Sequence, residues 1–124
     1  MRDGEETTKI RILVVEDEAL VRLNGACMLE DAGFEVIEAA SADEAILILE
    51  GAPAIEVVFS DVDMPGSMDG LALARLVHDR WPNIRLLLTS GHHRPAEAEL
   101  PDHGKFVSKP YEAPEVVEAI INLL

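Results

Sequence analysis

The side chains best equipped for chemistry in this 124-residue chain fall in four short groups: Glu16-Asp17-Glu18, Asp61, Thr89-Ser90-Gly91 and Ser108-Lys109-Pro110. Taken singly, each has an ordinary explanation. Acidic residues after an apolar run serve as solvated loop or cap residues, a Ser-Gly pair makes a turn, and a lysine before proline lies on the surface. Gathered in one place, the same residues form a reactive set. Glu16, Asp17 and Asp61 carry three negative charges against the one positive charge of Lys109. Like charges ~4 Å apart repel by roughly 4 kcal/mol at an effective dielectric near 20, so such a cluster recruits a cation or takes up protons. Mg²⁺ suits it, because that ion keeps several waters and is held by one or two carboxylates plus phosphate oxygens, whereas Zn²⁺ wants histidine or cysteine. His78, His92, His93 and His103 lack a ligand-type spacing and offer no competing metal site. A carboxylate beside Mg²⁺, an ammonium and a hydroxyl can accept a phosphoryl group in line. Lys109 and the metal would stabilise charge on the transferring oxygens, and Ser90 would donate a hydrogen bond to one of them.

Something must bring these groups together, and the hydrophobic pattern supplies it. Runs at 10–15, 34–38, 55–60, 84–89 and 105–108 read as strands, three of them nearly continuous in Ile, Val and Leu, as befits strands covered on both faces of a parallel sheet. Helical patterns lie between them. Val21, Gly25, Met28, Leu29 and Ala32 share one face, and Gly33 supplies a left-handed stop. Ser41 and Glu44 form a capping box that starts a second helix near residue 42, with Ala45, Ile46 and Leu49 on its inner side. A third helix is predicted over 70–81, ended by Pro82. The last begins near Pro114, with Val117, Ile120, Ile121 and Leu124 facing inward. Alternating elements of these lengths indicate a doubly wound α/β sheet, in which ligands bind beyond the carboxyl ends of the strands. All four reactive groups stand at such ends. The crossover at 92–104 contains two prolines and is expected to hold one or two helical turns at most, the rest being irregular.

Composition narrows the function classes. The length suits one domain, and 48% hydrophobic residues suffice for a core. Residues 1–9 read as a flexible, polar tail and 10–124 as the domain. A net charge of −14 opposes direct nucleic-acid binding. No stretch approaches the ~20 apolar residues that span a bilayer, and no signal segment opens the chain, so a cytoplasmic, membrane-free protein is expected. The lone Cys27 excludes an intrachain disulfide and is expected as a packed thiol on the first helix.

The motifs in order are Ile-Leu-Val-Val-Glu-Asp-Glu at 12–18, Ser-Asp-Val-Asp-Met-Pro-Gly-Ser-Met-Asp-Gly at 60–70, Leu-Thr-Ser-Gly at 88–91 and Ser-Lys-Pro-Tyr at 108–111. With them the chain resembles the receiver domains of two-component response regulators from residue 10 to its end. The resemblance implies a flavodoxin-like, CheY-like fold with five parallel strands in the order 2-1-3-4-5. It also implies that Asp61 is the phosphoacceptor and Asp17 a direct Mg²⁺ ligand, with Glu16 acting on the metal through water and the Asp63 backbone carbonyl completing the protein ligands. Ser90 becomes the switch hydroxyl, Phe106 the switch aromatic, and Lys109 the phosphate contact, with Lys109-Pro110 as a cis bond. The implied partners are a histidine kinase or histidine phosphotransfer protein as donor and an unidentified downstream protein. Such a domain phosphorylates and dephosphorylates itself without turning over a substrate as an enzyme does.

Three features depart from the family pattern. Gly66 and Ser67 stand after Met64-Pro65 where one residue is usual, the helix between the fourth and fifth strands looks short or missing, and Phe106 has no hydroxyl, so packing must drive any motion it makes. Two alternatives compete. Phe-Ser-Asp-Val-Asp at 59–63 also resembles the nucleophile motif of haloacid-dehalogenase phosphatases, although there it closes the first strand of a larger domain. The chain could also be a degenerate receiver that only binds protein. It ends with the last helix, which fits either a stand-alone regulator or a receiver cut from a hybrid kinase.

Overall fold

In the computed structural model, residues 9–51, 53–66, 68–91, 100 and 104–124 are described. Five strands, β1 (Arg11–Val15), β2 (Glu35–Ala39), β3 (Val57–Asp61), β4 (Arg85–Ser90) and β5 (Lys105–Ser108), form one parallel sheet in the order β2-β1-β3-β4-β5. Among the described residues four helices accompany them: α1 (Ala19–Asp31), α2 (Ala42–Glu50), α3 (Gly70–Arg80) and α4 (Ala113–Leu123). This is the doubly wound, flavodoxin-like architecture read from the sequence, with strand boundaries displaced by one or two residues, as is normal at element ends. The crossover between β4 and β5, expected to be irregular, lies largely outside the described residues, as do residues 1–8 of the expected tail.

Alternation along the strands divides the core in two. Leu13, Val15, Val58, Leu86 and Leu88 point to one face, where Ala45 and Leu49 of α2 and Leu73 and Val77 of α3 cover them. Ile12, Val14, Val57, Phe59 and Leu87 point to the other, beneath Leu29 of α1 and Val116, Ile120 and Leu123 of α4. With both faces covered, the central strands are uniformly apolar, which is why they read as continuous runs.

Local signals place the helix ends. Ser41 Oγ accepts from the Glu44 amide at 3.1 Å, as the expected capping box requires, while the Glu44 carboxylate accepts from the Ala40 amide, one residue before the N-cap amide that a regular box uses. Gly33 sits at φ +99° after α1, a conformation suited to glycine. Two faces differ from expectation. On α1 the buried residues are Gly25, Ala26 and Leu29; Ala32 falls beyond the last helical turn, and Cys27 is exposed, about opposite Gly25 on the helix, so the packed-thiol reading is wrong. On α4 the inner face is Val116, Ile120 and Leu123 rather than Val117, Ile120, Ile121 and Leu124; Ile121 and Leu124 are 58% and 52% exposed. The run Val-Val-Glu-Ala-Ile-Ile-Asn-Leu-Leu doubles its apolar residues, so periodicity fits either face; Val116, Ile120 and Leu123 are the members that join the core cluster containing Phe34 and Val107. No helix among the described residues is long and apolar enough to cross a membrane.

Candidate functional site

The strand order changes direction between β1 and β3, and the register there brings the reactive groups together. Val15 lies opposite Ser60, Asp61 opposite Thr89, and Ser90 opposite Ser108. The residues that follow β1 and β5, Glu16 and Lys109, therefore emerge on either side of Asp61. Glu16 and Asp61 are buried, at 4% and 5% exposure, while Asp17 reaches solvent. Each of Glu16, Asp17 and Asp61 offers a carboxylate oxygen, and these three atoms lie within 4.8 Å of one another.

Lys109 is the countercharge. Its Nζ donates to Glu16 Oε1 at 2.9 Å and to Asp61 Oδ2 at 3.2 Å. The peptide between Lys109 and Pro110 is cis, and the Lys109 amide donates to the Ser90 carbonyl at 3.0 Å, joining the ends of β4 and β5. Burial alone would lower the pKa of Lys109, but its hydrogen bond to Glu16 and the charge of Asp61 outweigh this and hold it above the ordinary lysine range. Glu16 moves upward too, pushed mainly by burial and further by the Asp61 charge, against its hydrogen bonds from Lys109 and the Glu18 amide.

The loop after β3 is fixed by its own main chain. The Val62 amide donates to the Thr89 carbonyl at 2.8 Å, the Asp63 amide to Asp61 Oδ1 at 3.1 Å, and the Gly70 amide to the Val62 carbonyl at 3.0 Å. Asp69 then caps α3 by accepting from the Ala72 amide at 2.9 Å. Ser90 Oγ, itself buried, donates to Asp63 Oδ2. Asp17, Glu18, Asp61, Asp63, Gly91 and Lys109 line an open cleft of about 350 Å³.

Of the residues singled out from sequence, Glu16, Asp17, Asp61, Asp63, Ser90 and Lys109 thus meet at one end of the sheet. Phe106 stands apart, half-buried on β5 against the core beneath α2 and α3. Two neighbours escaped the sequence reading. Arg22 donates from Nη1 to the Glu16 carbonyl at 2.8 Å and pairs through Nε with Glu38 at 3.2 Å. Its signal was available: it is the only lysine or arginine between Arg11 and Arg75. Tyr111 packs its ring 5.4 Å from that of Phe59, and burial raises its pKa.

The donor set is all hard oxygen, from carboxylates held close together with Lys109 bonded to two of them, and it suits Mg²⁺ rather than a soft metal. Residues 12–121 match the response regulator receiver domain family. The chain belongs to that family. This receiver domain is 37% identical over 117 residues to a sensor kinase CckA of Brucella abortus (strain 2308), covering 91% of this chain but 12% of the kinase. A putative NtrX-like response regulator of Rickettsia bellii is 36% identical over 84 residues, again with 67% of this chain against 17% of the relative. The chain therefore spans a small part of the curated relatives it matches. Among solved structures, a receiver protein from Sinorhizobium medicae WSM419 superposes with a TM-score of 0.82 at 31% identity, covering 93% of this chain and 94% of that one. The receiver domain of the hybrid histidine kinase CckA superposes with a TM-score of 0.78 at 34% identity, over 92% and 98% of the two chains. These relatives displace the phosphatase alternative, as does the place of Asp61 on the third strand.

Proposed function

We propose that this domain is a phosphorylation switch in which Asp61 accepts a phosphoryl group from a histidine kinase or histidine phosphotransfer protein. The observation that carries the reading is the buried Asp61 carboxylate facing an open cleft, flanked by Glu16 and Asp17 and bonded to Lys109. An Asp61 oxygen attacks phosphorus as the phosphorus–nitrogen bond to the donor imidazole breaks, and the imidazole leaves with a proton. Lys109 follows the phosphoryl oxygens with its ammonium, and Ser90 turns its hydroxyl from Asp63 toward one of them. Asp17 and Asp61, with the Asp63 carbonyl and with Glu16 through water, would hold Mg²⁺. That ion, when bound, neutralises the carboxylates and the incoming phosphoryl oxygens. Leu20 and Leu23 of α1, 76% and 50% exposed and close in sequence to the cleft residue Glu18, give a donor protein apolar surface to dock on.

Output then comes from a shift in population between two arrangements of the surface around Ser90 and Phe106; the 92–104 segment, expected to take part, lies largely outside the described residues. Incubation with acetyl phosphate followed by intact mass measurement tests the chemistry. One phosphoryl group should add in Mg²⁺ and none in excess EDTA. A chain that never gains mass would be a degenerate receiver, and sustained release of phosphate from generic esters would mark a phosphatase.

A further inference from the structure

Arg22 does no chemistry in this scheme, yet it is tied to the site more firmly than a surface arginine needs to be. Its side chain, 20% exposed, leaves α1 and bridges two strand ends: Nη1 meets the carbonyl of Glu16 after β1, and Nε meets the carboxylate of Glu38 on β2. That carbonyl belongs to the peptide joining Glu16 to Asp17. Because the peptide is planar, holding its oxygen fixes the direction in which the Asp17 backbone departs. The Glu16 carboxylate has other restraints, the Glu18 amide at 3.1 Å and Lys109 at 2.9 Å. Asp17 projects into the cleft from an exposed turn.

We propose that Arg22 is a positioning residue for cation binding, acting through the Glu16–Asp17 peptide to aim the Asp17 carboxylate. This rests on the Mg²⁺ site described above. The sign of its effect separates it from plain electrostatics. Arg22 is a positive charge beside an anionic cleft, so by charge alone its removal strengthens cation binding. As a clamp, its removal weakens binding, and loss of such an outer partner costs roughly tenfold in metal affinity.

The test is calorimetric titration of the protein with MgCl₂ alone. Arg22→Met should bind about tenfold more weakly than the unaltered chain. The double variant Arg22→Met, Glu38→Gln keeps the net charge at −14 and should show the same loss. Glu38→Gln alone should stay within about twofold, since it removes only a surface ion pair. In the metal-free protein, amide exchange at Asp17 and Glu18 should quicken in Arg22→Met, which a charge effect would not produce. Equal or tighter Mg²⁺ binding by Arg22→Met, or recovery in the charge-balanced double variant, overturns the proposal. Should Arg22→Met fail to fold by circular dichroism, Arg22→Lys decides, because an ammonium lacks the planar fork that spans both acceptors. Weaker binding supports the clamp and unchanged binding refutes it. Absence of Mg²⁺ binding by the unaltered chain would instead strike at the metal site itself.

Discussion

At the scale of single residues, the site is a problem in charge. Three carboxylates within 4.8 Å share one ammonium, so the metal-free fold works against repulsion that it keeps because the site needs it. Asp17 is the exposed member of the cluster, with no part in the core, which makes it the cleanest probe. Asp17→Asn should stabilise the metal-free protein modestly, on the order of the ~1 kcal/mol between unit charges ~4 Å apart in water, and abolish the further stabilisation that Mg²⁺ gives. Urea midpoints with and without MgCl₂ measure both effects. A rise on adding Mg²⁺ that survives the substitution would remove Asp17 from the ligand set. These acids and Lys109 were legible in the sequence because, ordinary singly, they all fall at the carboxyl ends of strands in one sheet. Arg22 was marked only by its isolation as a cation between Arg11 and Arg75; its partner, a main-chain oxygen, is announced by no motif.

At the scale of elements, parallel pairing does the work of assembly. Once β1, β3, β4 and β5 lie side by side in register, residues far apart in sequence must meet at one edge, and Lys109 reaches Glu16 across 93 positions of chain. Helix α3 approaches that edge closely. A Cβ on Gly70 would come within 2.0 Å of the Asp61 carbonyl oxygen and 2.7 Å of the Val62 Cα, so the helix must withdraw if a side chain is added. Gly70→Ala should cost about 3 kcal/mol or more, at the upper end of overpacking effects, and weaken Mg²⁺ binding as the Asp61 loop shifts. Denaturant midpoints and a metal titration check the two halves. An alanine variant as stable as the parent would show that the contact is not held in solution. The strands were legible because burial on both faces writes itself as apolar runs. Helix faces were legible only where one apolar stripe stood out: α4 carries adjacent apolar pairs, and the strand packed beneath it, not its own period, decides which members turn inward.

For the whole molecule, proton uptake follows from how the site is buried. Lys109 and Tyr111 both bind their protons more tightly in the folded chain than they would unfolded, Lys109 through its carboxylate partners despite burial and Tyr111 chiefly through burial. A raised value means stability that is fully present below the unfolded-state pKa and lost as pH climbs through the folded one. Metal-free stability should therefore fall above about pH 10, the ordinary range of both groups. Tyr111→Phe should make that fall shallower, and urea midpoints across the alkaline range report it. A loss no shallower in Tyr111→Phe would show that Tyr111 does not contribute. Glu16 acts in the same sense at acid pH: its raised value favours the metal-free fold at low pH, and the benefit fades as the carboxylate ionises.

The central claim is that one carboxylate among several takes the phosphoryl group, and its identity can be read directly. The chain and its Asp61→Asn variant, incubated with acetyl phosphate and Mg²⁺ and measured by intact mass, should differ completely: one phosphoryl addition on the former and none on the latter. An adduct that persists in Asp61→Asn, or never forms on the unaltered chain, would contradict the assignment.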